Sequence, residues 1–577
     1  MVKKNKVKEN TKGEKKQSEK KSKSSKSISF KLDMNLIVKN WATILLIAIM
    51  IFGFSLRLYH LDYPVIGYHN QKEVHYLTET RNFAEDGFFK NGFLIPRRDS
   101  FDNQFPDGVH GDTLPLIHLF GVPMYLIFGP QEWALRLPGM LMNLFTILIM
   151  YLFIRKLFKR EDIALTAAFL TALNPLFVFF SHNYQLVNPG LFFMMLGGYM
   201  FLLWKEKRTM LTLALASFFI SIAGAAKYPF IIILVPIAFI FPYKDVFSNI
   251  KKYLPALSVA TVIFLIIVVG WFFHELAHQP VNTIGGSYEA QSIGGFSALF
   301  SDQFKATTPS YIADSFTTIG AWFCLFGIIL SLLMFAFKKR TDGEWFLIGS
   351  IVGIAIFMVI MSSKVAGHNY HYFPITPLII IFIAYFLLVV GNTLGTFVKE
   401  YQQYILAIII ILGLIVVYKP SIEAKNRQFD TQFHGLDVAG QYIFEHKNSG
   451  DEMMHSGHQS YGVSWYGDIQ STRGIPKKLD EFKQIEQTRN IQWLLIYQWG
   501  FNVKNNPKLW NYITNNYSLN QMGFFQQQGK VSITYYLMRK GGSFNESNLN
   551  YMFQGKPVYN KIYDTSRGKV TFNYINI

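Results

Sequence analysis

The chain has 577 residues, half of them hydrophobic, with 54 Phe, a formal charge of +18 and a mean hydropathy of +0.20. Apolar runs of about 20 residues, the length a helix needs to cross a hydrocarbon core, recur along it and exclude a soluble globule. The only cysteine, Cys324, excludes disulfides and cysteine-based metal sites within one chain.

Residues 1–40 carry thirteen Lys against Glu9, Glu14, Glu19 and Asp33. This Lys/Ser-rich arm is expected to be disordered and cytoplasmic, held near anionic lipid rather than bound to nucleic acid. It is far longer than the basic start of a signal peptide. Twelve apolar runs follow, near 41–60, 113–129, 135–154, 162–181, 188–204, 209–226, 228–242, 253–273, 315–337, 344–363, 373–391 and 403–418. If all twelve crossed, the basic cluster Arg155–Arg160 would fall on the side opposite the arm. The run 113–129 contains Pro115, His118, Gly121 and Pro123 and makes a poor spanning helix. Without it, Arg155–Arg160, Lys205–Arg208, Lys244–Lys252 and Lys338–Arg340 all become cytoplasmic, as the orientation rule for Lys and Arg requires. The expected fold is a polytopic α-helical protein of the cell membrane. It has about eleven transmembrane helices over 41–418, an inner N-terminus, and an outer C-terminal α/β domain over 419–577. The α/β pattern rests on helical stretches at Leu436–His446, Leu479–Thr488 and Pro507–Asn515, with apolar runs at Trp493–Tyr497 and Val531–Leu537 between and after them.

This topology gathers the chemically interesting residues on the outer face, mostly in the loop 61–134. There GYHNQKEVHYLTETRNF (67–83) carries Glu73, Tyr76 or Leu77, and Thr80 at helical spacing, which predicts a surface helix over 70–86. Glu73 reads either as a general base or as a solvated carboxylate paired with Lys72 or Arg81. Asp112, in HGDTLPLIHLF, reads either as a second acid or as a helix N-cap. Asp99, Asp102 and Asp107 do not match the spacing of a calcium loop. Lys227, between two apolar segments, either meets a lipid phosphate or snorkels. His368, Tyr370, His371 and Tyr372 form either an aromatic interface belt or, less in keeping with their spacing, part of a zinc site. Trp465, Tyr466, Trp493 and Trp499 are core aromatics or acceptor contacts of the C-terminal domain.

In order and sidedness, RLYHLDYP, TRNF (80–83), PLIHLFGVPMYLIFG (115–129), EWALRLPGMLMNLFTILIMYLFIRKLF (132–158), GAAKYPFIIILVP and GHNYHYFPITPLII resemble the C-type glycosyltransferases. That family includes the protein O-mannosyltransferases and the lipid A aminoarabinose transferases. The resemblance covers roughly residues 40–420. It implies inverting hexosyl or pentosyl transfer, on the outer face, from a polyprenyl-phosphate-linked sugar to the hydroxyl of a protein, lipid or glycan. Matched by position, Glu73 and Asp112 become the catalytic acids. Arg81, Lys227 and His371 become contacts of the donor phosphate, and His69, Tyr370 and His368 contacts of substrate. Lys72 stands where the family has the first of two acids, and Asn188 where a further acid often follows the third span. The resemblance implies no fixed cofactor, although a divalent metal serves some relatives. The rival readings are a transporter or lipid-handling protein and a relative without activity.

Overall fold

The computed structural model describes residues 34–96, 109–110, 113–278, 294–337, 340–472, 474–527 and 530–577. The first 33 residues of the basic arm lie outside these, as do Asp99, Asp102, Asp107 and Asp112. The chain divides into Met1–Ile44 and Leu45–Ile577. The described part of the first unit is helical from Met34, and the rest of this description concerns the second.

The first four helices are α1 (Met34–Leu58), α2 (Asn70–Asp86), α3 (Leu116–Phe128) and α4 (Glu132–Phe158). The predicted surface helix is α2, within the expected bounds. It contains neither Pro nor Gly, and it stops where Gly87 takes φ 76° and returns its N–H to Phe83 O. α3 has 13 residues and an internal Pro123. At 1.5 Å per residue it is about 20 Å long, short of the roughly 30 Å of a bilayer core. Among the described residues, eight helices are long and apolar enough to span, and the pair Glu161–Leu173 and Pro175–Ser181, bent by 51°, makes a ninth. The bend has a local cause. Pro175 has no N–H to continue the first helix, and Asn174 caps the second by accepting from Phe177 N at 3.0 Å. Three shorter apolar helices, α3, Met210–Ala226 and Tyr228–Ile240, fall below spanning length, so eight or nine of the expected eleven spans are long and apolar enough among the described residues.

Ion pairs Lys156–Glu206, Lys205–Asp342 and Arg208–Asp245 tie the basic loops together at one end of the bundle. These exposed pairs add little stability, but they mark a common face. The 27 residues of α4 separate that face from α2 and α3 by about 40 Å. Inside the bundle Arg57 is fully buried. Its Nε donates to Asn143 Oδ1 at 2.9 Å and its Nη1 to Gly53 O and Ala172 O at 2.9 and 3.1 Å. Asn143 in turn donates to Asn188 Oδ1 at 2.8 Å, and Asn188 to Phe180 O at 2.8 Å. Asn188 is thus a member of a polar network that joins five helices.

The last membrane helix, Gln402–Asp430, runs on past residue 418 into the C-terminal domain. That domain holds a seven-stranded mixed sheet. Glu452–His455 pairs in parallel with both Gln470–Ser471 and Ile491–Tyr497. Lys530–Lys540, Tyr517–Gln527, Gly568–Asn576 and Tyr559–Thr565 follow antiparallel. Helices form at Leu436–His446, Leu479–Thr488 and Pro507–Asn516, as the periodicity predicts. Trp493 is buried in the core, whereas Trp499 is exposed.

The short helix Gly462–Gly467 of this domain sits against the membrane half. Val65 N donates to Tyr466 Oη at 2.8 Å, and Tyr466 Oη donates to Glu132 Oε1 at 2.8 Å. Asn70 Nδ2 reaches Gln459 O at 3.0 Å. Tyr461, fully buried, meets the His75 ring edge-on at 5.5 Å. α2 is therefore gripped from both halves of the chain.

Candidate active site

A cavity of about 730 Å³ opens beside α2, a volume typical of small-molecule sites. Its lining divides by chemistry. Aliphatic and aromatic side chains, among them Ile231, Leu234, Val235, Phe272, Ile356 and Ile360, make a greasy slot. Lys72, Lys227, Lys364 and His371 bring positive or donor groups to it, and among the described residues Glu79 is the one carboxylate that lines it.

Helical geometry explains which residues of α2 reach the cavity. Lys72, His75, Tyr76 and Glu79 are spaced at three to four residues and share one face. Glu73 is rotated about 100° from Lys72, at 3.6 residues per turn, and faces the protein instead. Its Oε1 accepts from Arg136 Nε at 2.7 Å and from Tyr184 N at 3.1 Å. Arg136 also donates to Leu61 O and Tyr63 O, at 3.0 and 2.6 Å. Glu73 is 3% exposed and Arg136 4%, so Glu73 is not the solvated partner of Lys72 or Arg81 that one reading expected. The ion pair joins α2 to the start of α4 and borders a separate, water-sized cavity with His60, His182 and Gln432.

Of the other expected site residues, the structure brings five together. Lys227 lies between the apolar helices Met210–Ala226 and Tyr228–Ile240, outside both, with its Nζ 4.5 Å from the centre of the Tyr370 ring. Burial, reinforced by Lys72 and Lys364, holds its ammonium down to about 7. The His69 ring meets His368 and Tyr370 edge-on at 5.0 and 5.1 Å, His368 stacks on Tyr370 at 5.4 Å, and His371 lies 4.3 Å from Tyr370. His69 takes φ 63°, a left-handed conformation uncommon for a residue with a side chain, at the turn that opens α2. Burial pushes the His368 ring down to about 4, and the same lysines contribute. His69 is likewise pushed well below its usual value by burial, with His368 next. Both rings are therefore neutral near pH 7, and neither lines the cavity.

Arg81 stands apart from this group. It does not line the cavity but pairs with Asp468 of the C-terminal domain, which also receives Lys447. Half-exposed pairs of this kind contribute roughly 0–1 kcal/mol, so Arg81→Gln is expected to leave binding of a polyprenyl phosphate within about fivefold of wild type, measured by titration in detergent. Asp112 lies outside the described residues, and Thr113, its neighbour, lines the cavity. Among the described residues no three His, Cys, Asp or Glu converge as metal ligands. One carboxylate among three lysines does not fit a divalent ion.

Three residues carry weight that their sequence context did not suggest: Glu79, Lys364 and Arg136. Glu79 and Lys72, seven apart, fall on one helical face, and that spacing was the available signal.

Residues 113–272 match the protein family described as dolichyl-phosphate-mannose-protein mannosyltransferase. No curated protein matches the chain significantly in sequence. Among solved structures, ArnT from Cupriavidus metallidurans bound to undecaprenyl phosphate is similar over 87% of this chain and 98% of its own, at 11% identity and a TM-score of 0.58. The apo form of the same protein gives 13% identity and 0.56. The archaeal oligosaccharyltransferase AglB from Archaeoglobus fulgidus, in complex with an inhibitory peptide and a dolichol-phosphate, is similar over 86% of this chain and 74% of its own, at 14% identity and a TM-score of 0.57. With the helix order, the short α3 and the C-terminal sheet already described, these likenesses establish that the chain has the fold of the C-type membrane glycosyltransferases.

Proposed function

We propose that this protein moves a sugar from a polyprenyl-phosphate-linked donor to an acceptor hydroxyl at the outer face of the cell membrane. The observation that carries the reading is the cavity, where a slot of aliphatic side chains ends among Lys72, Lys227 and Lys364 with Glu79 beside them. A long apolar tail with an anionic head matches that division. The fold is shared with proteins solved with undecaprenyl phosphate and a dolichol-phosphate bound. The face bearing α2 and α3 is the outer one, since the basic loops cluster at the opposite end.

In the reaction a carboxylate, Glu79 or Asp112, takes the proton of the acceptor hydroxyl. The freed oxygen attacks the anomeric carbon, and the bond from that carbon to the phosphate oxygen breaks with its electron pair leaving on the lipid phosphate. Direct displacement inverts the anomeric carbon. Lys72, Lys227 and Lys364 stabilise the charge that grows on the phosphate as it leaves. Lys72, in place of the first acid of the family pair, belongs to this cationic end. The same substitution favours a second reading, a lipid-binding protein without transfer.

Two measurements test the proposal. Membranes containing the protein should transfer radiolabelled sugar from a polyprenyl-phosphate donor, and absence of transfer from every donor tried, with lipid binding intact, selects the second reading. Binding of undecaprenyl phosphate should also depend on pH. A phosphate beside Lys227 raises the ammonium above its free value of about 7, so binding takes up a proton. Affinity is then greatest below pH 7 and falls by up to about tenfold per unit as pH rises through 7 toward the bound value. Lys227→Met should remove that slope.

A further inference from the structure

The two phenylalanines that follow α2 part company. Phe88 turns inward and stacks on Phe83 at 4.5 Å, beside the buried Ile95 and Val122. Phe89 turns outward and is 86% exposed. Between Gly87 and Phe93 the chain makes a tight turn. Gly92 N donates to Phe89 O at 3.1 Å, and Phe93 N to Phe88 O at 2.8 Å. Gly92 and Phe93 both take left-handed φ, 58° and 65°. Glycine does so freely, whereas phenylalanine does so at a cost that only firm surroundings sustain.

A membrane helix supplies part of those surroundings. In the span Ile250–His278 only 17% of the most apolar 18 residues are buried, so most of its surface is left to lipid. Its apolar run closes at Phe273, itself 62% exposed. The next residue, His274, donates from Nε2 to Gly92 O at 2.7 Å, since a carbonyl only accepts. A Cβ on Gly92 would stand 3.4 Å from His274 Cε1, so the turn lies close against the ring. The turn is thus fastened where the lipid-facing surface gives way to polar residues. Lys90, next to Phe89, holds its Nζ 2.8 Å from Asp86 Oδ1. The tip therefore brings no bare ammonium to oppose entry into lipid.

We propose that the turn Gly87–Phe93 is a bilayer anchor for α2, with the Phe89 ring seated at the boundary of headgroups and acyl chains in the leaflet at this end of the bundle. Lipid is its partner, because His274 fixes the turn to a helix whose bare surface already lies in lipid. The same span contributes Phe272 to the cavity, and α2 contributes Lys72, His75, Tyr76 and Glu79. The anchor therefore sets the depth at which those groups meet a ligand that arrives through the bilayer.

The test uses the full chain in lipid nanodiscs, in a Cys324→Ala background so that a nitroxide label reports from one position at a time. Phe273→Cys gives the lipid reference. Trp499→Cys, at an exposed position of the C-terminal domain, gives the aqueous one. The label at Phe89→Cys is expected to collide with oxygen in preference to a water-soluble nickel chelate, at a ratio severalfold above that at 499 and close to that at 273. Lys90→Cys should fall between the references, and it carries the test where Phe89→Cys does not fold. Ratios at 89 or 90 no higher than at 499, or a label at 89 shielded by protein from both reagents, overturn the anchor. Either result leaves the transferase reading as it stands, since no sugar donor enters the measurement.

Discussion

Glu79→Gln is expected to lower sugar transfer by about 10²–10⁴-fold, the usual contribution of a general base, while undecaprenyl phosphate still binds. The amide keeps the shape of the carboxylate and its place on the cavity face of α2, so the lysines that meet the phosphate stay where they are. It loses the ability to take a proton. A single-turnover assay with donor preloaded separates the two effects, since a binding defect is cured by more donor and a chemical one is not. Asp112→Asn in the same assay decides between the two carboxylates. Full activity in Glu79→Gln with loss in Asp112→Asn would move the base to Asp112.

Glu73→Gln should behave in the opposite way, losing stability first. Glu73 and Arg136 form a buried pair, and the carboxylate also holds Tyr184 N. Removing one partner of such a pair leaves the other charged and unmatched, at a cost of about 3–5 kcal/mol. The expected result is a lower midpoint of thermal unfolding, loss of the folded fraction in mild detergent, and activity that falls only as far as folded protein does. Replacing both partners, as in Glu73→Gln with Arg136→Met, should recover part of the stability, because no bare charge remains. A stable Glu73→Gln protein without transfer would return Glu73 to the chemistry.

Much of the membrane architecture could be read from the chain. Apolar run length predicted most of the long apolar helices, eight or nine of the expected eleven among the described residues, and the short α3 over 113–129, because helix length is a local property. The bounds of α2 were equally legible from its spacing. The partner of Glu73 was not. Arg136 sits 63 residues away, in a stretch that reads simply as the start of a span, and only the packing of α4 against α2 brings the two together. The choice between Glu73 and Glu79 turned on the same point, since neighbours in sequence face different ways on a helix. In the C-terminal domain the apolar strand Ile491–Tyr497 announced itself, whereas Tyr517–Gln527, Tyr559–Thr565 and Gly568–Asn576 did not. Their Asn, Gln and Lys residues interrupt the apolar runs, and Gln521, buried in Tyr517–Gln527, is instead satisfied by Tyr535 and Asn576.

The grip of the C-terminal helix on α2 also orders events during synthesis. Arg81 and Asp468 are 387 residues apart in the chain, and Tyr461 and Tyr466 lie only just before Asp468. A ribosome that has released the last membrane helix has yet to make the residues that hold α2 in place. The surroundings of α2 are completed only once the C-terminal domain has folded and docked, so a chain interrupted before Tyr461 leaves α2 without the contacts of Tyr461 and Asp468.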